Sequence, residues 1–124
     1  MPSSRRLRVY IAAPYSKGDI GMNVNNAMVT WDMLFTQGYI PYCPHWTHFQ
    51  HVLLPRAYQE WLFFDVEWLL LCDVVLRLQG ESSGADSEVK FAQASGMPVV
   101  FTIEELLKEF PPDGNIPPRT LGPA

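Results

Sequence analysis

Apolar residues along this chain fall into two alternating patterns. Leu7 to Ala12 (LRVYIA) is a short apolar, β-branched-rich run that stops before Pro14, the signature of a strand buried on both faces. From Met22 to Gln37 the apolar positions change period: Val24, Ala27, Met28, Trp31, Leu34 and Phe35 recur at helical spacing, and Gly38 supplies the stop. The alternation then repeats. Tyr39 to Tyr42 reads as a second strand closed by Pro44, Asp73 to Leu78 (DVVLRL) as a third, and Met97 to Phe101 (MPVVF) as a fourth. Between them lie predicted helices over Pro55–Leu71, Asp86–Ser95 (ended by Gly96) and Ile103–Phe110. Three connections stay irregular in this reading: Ala13–Asp19, the aromatic and histidine-rich Cys43–Leu54, and the polar Gly80–Gly84.

Strands that alternate with helices and are apolar on both faces predict a parallel sheet covered on each side. The expected fold is a single-domain α/β three-layer sandwich, Rossmann-like or flavodoxin-like, with four to five strands. Residues 1–110 form the domain, and a proline-rich tail, extended or disordered, occupies 111–124. Ligands of such sheets bind at the carboxyl ends of the strands, where the strand order reverses. That rule gathers the loops Ala13–Asp19, Cys43–Leu54 and Gln79–Ser87 at one end of the molecule.

Composition narrows the ligand. The chain has 124 residues and a formal net charge of −4. An acidic protein lacks the electrostatic footprint for gripping a nucleic-acid polymer. No basic amphipathic stretch suits a membrane surface, and no apolar run reaches the roughly 18 residues of a spanning helix. A single nucleotide remains a fitting ligand, since backbone amides and hydroxyls can hold one phosphate. Cys43 and Cys72 form no CxxC pair and read as buried free thiols. A cytoplasmic setting is expected, with no signal peptide ahead of the first strand.

Candidate chemistry concentrates in the loops. Neither GxGxxG nor GxxxxGK[ST] occurs, so the dinucleotide and P-loop fingerprints are both missing. Gly80-Glu81-Ser82-Ser83-Gly84-Ala85-Asp86-Ser87-Glu88 leads from a strand end into a helix start. Its hydroxyls, glycine and free amides offer an anion site, and Glu88, expected in the first helical turn, is either a cap-region carboxylate or a site acid. Asp65 lies in the most apolar helix, as either a solvated acid or a site acid with a raised pKa. Glu67 would point about 160–200° away, so one of the two can face a site. Asp73 reads as a strand-boundary residue. His45, His48 and His51 recur every third position, but no HExxH accompanies them, and zinc is a weak reading. His45 and Trp46 instead offer a wall for stacking on a flat base, or simply loop packing. Tyr15 and Ser16 are turn residues that can face a ligand.

Three segments, VYIAAPYS, FDVEWLLLCDVVLRL and GESSGADSEVKFAQASGMPVVF, together resemble the nucleoside 2-deoxyribosyltransferase superfamily. Within it, the chain resembles the small 2′-deoxynucleoside 5′-monophosphate N-glycosidases, across Val9 to about Phe101. The second segment is similar to their D-x-E-W-L-x-x-x-D-V-V element and the third to their S-x-G-x-x-x-E element. The resemblance implies that Glu88 is the nucleophile and forms a glycosyl ester, with Asp65 contacting the sugar and assisting proton transfer. Ser82 falls where transferases on free nucleosides carry an acid and monophosphate glycosidases a phosphate-binding serine. It also implies that Tyr15 and Ser16 close over sugar and phosphate, although Ala13-Pro14 departs from the Gly-Ser version of that loop. Gly84, His45 and Trp46 complete the expected substrate-binding set. No metal or organic cofactor is implied. The expected partner is a nucleoside 5′-monophosphate, and the expected assembly is a homodimer or higher homo-oligomer with shared active sites. A deoxyribosyltransferase on free nucleosides and a non-catalytic nucleotide sensor are the alternatives.

Overall fold

A computed structural model describes residues 6–112. The four strands are β1 (Arg8–Ala12), β2 (Ile40–Tyr42), β3 (Val74–Arg77) and β4 (Val99–Val100), all parallel in the order β2-β1-β3-β4. Tyr10 is in register with Val75 and Ala12 with Arg77. The order reverses between β1 and β3: the chain leaves β1 towards β2 and leaves β3 towards β4. The expected Rossmann-like or flavodoxin-like α/β sandwich is therefore the observed fold, with four strands.

Period-two alternation sends successive strand residues to opposite faces. Val9, Ile11, Val74, Leu76 and Val100 pack on one side with Ala27 and Leu34 of α1 (Ile20–Gln37) and Leu106 of α5 (Ile103–Glu109). Tyr10, Ala12 and Val75 pack on the other with Leu69 of α3 (Tyr58–Leu69) and Ala85 and Ala92 of α4 (Ser83–Ala94). On this second face three of the six buried residues, Ala12, Ala85 and Ala92, contribute only a methyl group.

The helix ends follow local chemistry. Asp19 caps α1 by accepting from the Met22 amide at 3.0 Å, so the helix starts two residues before the expected Met22. Gly38, at φ +108°, ends it in the left-handed conformation that favours glycine. α3 starts at Tyr58 rather than Pro55, because Ala57 is extended, and Glu60 reaches back to the Ala57 amide at 3.1 Å. Asp73 is a boundary residue as expected: its carboxylate accepts from the Arg8 amide at 2.8 Å and pins the start of β1.

Two further expectations need correction. The segment Cys43–Leu54 is not an irregular loop but a 3₁₀ turn, Pro44–Thr47, followed by a short helix α2, His48–Leu53. No residue of α2 is buried, so no core-facing stripe marks it in the sequence. α4 begins at Ser83, not Asp86, because the Ser82 hydroxyl accepts from the Ala85 amide at 3.1 Å and caps it. Glu88 thus lies in the second turn. The expected tail lies outside the described residues from position 113 onward. Among the described residues no helix is long and apolar enough to cross a membrane.

The loops after β1 and β3 meet through Gly80. Its φ is +120°, and a Cβ there would stand 2.7 Å from Pro14 Cγ. Gly80→Ala is therefore expected to cost about 1–3 kcal/mol through strain and displacement of Pro14. Urea unfolding checks this as a lower midpoint at unchanged slope; an unchanged midpoint refutes it.

Candidate active site

The loops at the reversal point enclose a cavity of about 670 Å³, a size suited to a small organic ligand. Its walls come from the β1 loop, the 3₁₀ turn and α2, the face of α3, and the first two turns of α4. Both acids singled out in the sequence line it.

Glu88 is buried, with 6% of its surface exposed, and its Oε2 accepts a hydrogen bond from the Tyr10 hydroxyl. Burial pushes its carboxyl up to about 8, and the charge of Asp65 adds to that, while the Tyr10 hydrogen bond and the Arg77 charge pull it back. Tyr10 is fully buried in β1, and burial together with the two acids holds its phenol well above the usual range, so it stays a donor. Asp65 faces the cavity from α3 while Glu67 is exposed. Burial pushes Asp65 up to about 7, and its Oδ1 is buried without a hydrogen-bond partner. Two carboxyls with raised pKa values in one cleft mark a site able to move protons near neutral pH.

The β1 loop is held from three directions. Asn23 of α1 donates to the carbonyls of Tyr15 and Lys17, each at 2.8 Å. His45 Nε2 lies 2.6 Å from the Pro14 carbonyl, which can only accept, so that nitrogen carries the proton. His45 Nδ1 faces the Cys43 thiol at 3.5 Å. Burial pushes that thiol up to about 12 and the imidazole down, so both are neutral. His48 Nδ1 meets the Tyr15 hydroxyl at 2.6 Å. Across the mouth, Lys17 and Glu81 form an exposed ion pair at 3.2 Å that links the two loops.

Tyr15, Ser16, His45, Asp65, Ser82, Gly84 and Glu88 thus line one cavity. Trp46 does not: it is exposed, makes an edge contact with Trp31 at 5.9 Å, and lines a neighbouring aromatic groove with Tyr42, Phe64 and Trp68. His45 touches the cavity, yet both ring nitrogens already face protein groups, so its evident work is holding the β1 loop. The three histidines go separate ways, for His51 Nδ1 accepts from Trp61 Nε1 at 2.8 Å. Among the described residues no three His, Cys, Asp or Glu side chains gather as metal ligands.

Ser82 has two tasks available. Capping Ala85 uses an acceptor lone pair, and the hydroxyl hydrogen is left to donate to a ligand. Gly84 gives space at the same helix start, since a Cβ there would lie 3.2 Å from the Tyr58 hydroxyl. The sequence reading missed Tyr10, which looks like any core aromatic in a strand. It also missed Arg77 and the cavity-lining Arg56, Tyr58 and Trp61.

Comparison with known proteins agrees with this architecture. No curated protein matches the chain. Among solved structures it is similar to a 2-desoxiribosyltransferase from Leishmania mexicana, at 16% identity and a TM-score of 0.56, over 94% of this chain and 80% of that one. At that identity the likeness is one of fold alone. A family profile described as Domain of unknown function (DUF7768) matches residues 7–102. That span contains Tyr10, Asp65, Arg77, Ser82 and Glu88, and the chain belongs to the DUF7768 family.

Proposed function

We propose that this protein hydrolyses the N-glycosidic bond of a nucleoside 5′-monophosphate, preferring the 2′-deoxy form, to free base and deoxyribose 5-phosphate. The observation that carries the reading is the pair of a buried Glu88 and a half-buried Asp65, with unequal surroundings, in a cavity closed by the start of α4. The influences that favour a carboxylate, the Tyr10 hydroxyl and the Arg77 charge, both act on Glu88. At Asp65 burial alone acts, and it favours the protonated acid. With Glu88 raised to about 8 and Asp65 to about 7 the two carboxyls share protons near neutral pH, and the division of labour, Glu88 as nucleophile and Asp65 as proton carrier, is the one the sequence resemblance implies, supported by the Tyr10 hydroxyl on Glu88.

The Glu88 carboxylate forms a bond to the anomeric carbon as the bond from that carbon to the base nitrogen breaks, through an oxocarbenium-like state. The leaving base takes a proton, with Asp65 as donor. Water then attacks the ester, yielding its proton to Asp65, and Glu88 is released as a carboxylate. Tyr10 keeps the attacking oxygen in place without itself ionising.

For the phosphate, Ser82 and the first amides of α4 supply donors, and Lys17 and Arg56 line the same cavity. A carboxylate at position 82 would repel a dianion. Exposed Phe63 and Trp68 on α3 fit a contact between subunits of a homo-oligomer in which sites are shared. Sedimentation measurements check that assembly. The buried free thiol of Cys43 fits work in the cytoplasm.

Incubation with a panel of nucleoside 5′-monophosphates and free nucleosides, followed by chromatography of released base, tests the reading. Base is expected from at least one deoxynucleoside monophosphate, with kcat/KM at least about tenfold lower for its free nucleoside. Ser82→Asp is expected to raise KM for the monophosphate by about 10- to 100-fold, the loss of one charge-assisted contact. Base exchange between free nucleosides, with monophosphates inert, would make the protein a transferase. Tight nucleotide binding without turnover would make it a sensor.

A further inference from the structure

Arg77, the last residue of β3, is a buried cation that makes or breaks no bond in the reaction above. Its side chain is 10% exposed, and it lies two positions beyond Val75, so it shares the sheet face of Tyr10, Ala12 and Val75 under α4. An apolar residue there would continue the core at no desolvation cost, whereas a buried guanidinium is expensive unless fully engaged. It is engaged with three partners. NH1 donates to the Leu78 carbonyl, and NH2 donates to the Gly80 carbonyl at 2.9 Å and to Asp86 Oδ1 at 3.0 Å. Those partners sit on the strand end, on the turn before Ser82, and on the helix that carries Glu88.

We propose that Arg77 is a positioning residue: its guanidinium ties β3, the Ser82 turn and α4 into one unit and fixes a positive charge beside the Glu88 carboxylate. The inference rests on the reading of Glu88 as nucleophile and adds what holds it charged and in place. Asp86 is largely exposed, with 63% of its side chain open, so it offsets the Arg77 charge from the solvent side, while the same charge pulls the buried Glu88 towards its ionised form. The other groups acting at Glu88 are Tyr10 from β1 and Asp65 from α3. Tyr42 at the end of β2 and Cys43 after it, both raised by burial and neutral, also sense its charge. Arg77 is the fixed cation among these groups.

The test follows the Glu88 side-chain carboxyl by carbon NMR in selectively labelled protein, alongside the pH profile of kcat/KM. In Arg77→Met the Glu88 titration and the acidic limb are expected to move up together by about one pH unit or more. Arg77→Lys, which keeps the charge but not the fork, is expected to hold the limb within a few tenths of a unit while KM rises several-fold. Asp86→Asn, which removes the outer partner only, is expected to leave the titration in place or lower it. A folded Arg77→Met protein whose Glu88 titrates as in the wild type overturns the proposal. So does an Asp86→Asn protein that matches Arg77→Met in both readouts, which would make the pair a structural clip. Should the methionine variant fail to fold, Arg77→Gln, which keeps a donor for the Gly80 carbonyl, is read by the same criteria. The NMR titration needs no turnover: if wild-type protein releases no base, the hydrolase reading fails while Arg77 is still judged.

Discussion

Glu88→Gln is expected to reduce base release by at least about 10³-fold, the scale seen when a nucleophile is removed from a site whose other parts survive. Glutamine keeps the volume and still accepts from the Tyr10 hydroxyl, so the cavity and nucleotide binding are expected to persist. The substitution removes only the negative charge that attacks and stabilises the anomeric centre. Quenched-flow of the wild type should show a covalent sugar–protein adduct on Glu88, visible by mass spectrometry of the acid-stopped reaction. Activity in Glu88→Gln within a few-fold of wild type would remove Glu88 from the mechanism.

Stability is expected to change in the opposite direction. Burial raises Glu88 from 4.5 to about 8 and Asp65 from 3.8 to about 7 in the folded protein. Between the unfolded and folded values the native state binds more protons than the unfolded chain. Stability present below about pH 4 is then lost as pH rises through about 7 and 8. The loss is on the order of a few kcal/mol for Glu88, most of whose surface is inaccessible. Glu88→Gln is therefore expected to be more stable than wild type at pH 8.5 by several degrees in Tm, with the gap closing towards pH 5. Calorimetry across pH 5–9 checks this, and parallel wild-type and variant curves would show that Glu88 ionises as easily folded as unfolded. A site that loses activity and gains stability through one substitution has traded folding free energy for a reactive carboxylate.

The parts of this architecture legible in the sequence are those where burial imposes a strong period. VYIA and VVL sit between two helical layers and are apolar throughout, so β1 and β3 are plain. α1 carries a core stripe and a glycine stop. α2 escapes because none of its residues is buried, and Phe49, Val52 and Leu53 point outward. The start of α4 escapes because Ser83 and Gly84 are turn formers by composition, and only the cap at Ser82 makes them helical. Among the site residues, Asp65, Ser82 and Glu88 stand out as polar groups in motif spacing. Tyr10 and Arg77 do not. One is an aromatic in a strand, the other a single charge at a strand end, and their roles depend on a neighbour across the sheet or on α4.

The alanine methyls in the cluster under α4 bear on how such a site changes over time. Ala12 and Ala92 line no part of the cavity, yet they pack in the cluster between the helix bearing Glu88 and the strand bearing Tyr10. Adding one methylene to either of them lifts the acid away from its phenol from behind. The alanines are thus the adjusting screws of the site, and substitutions far from the mouth can retune its reach without altering a single group inside it.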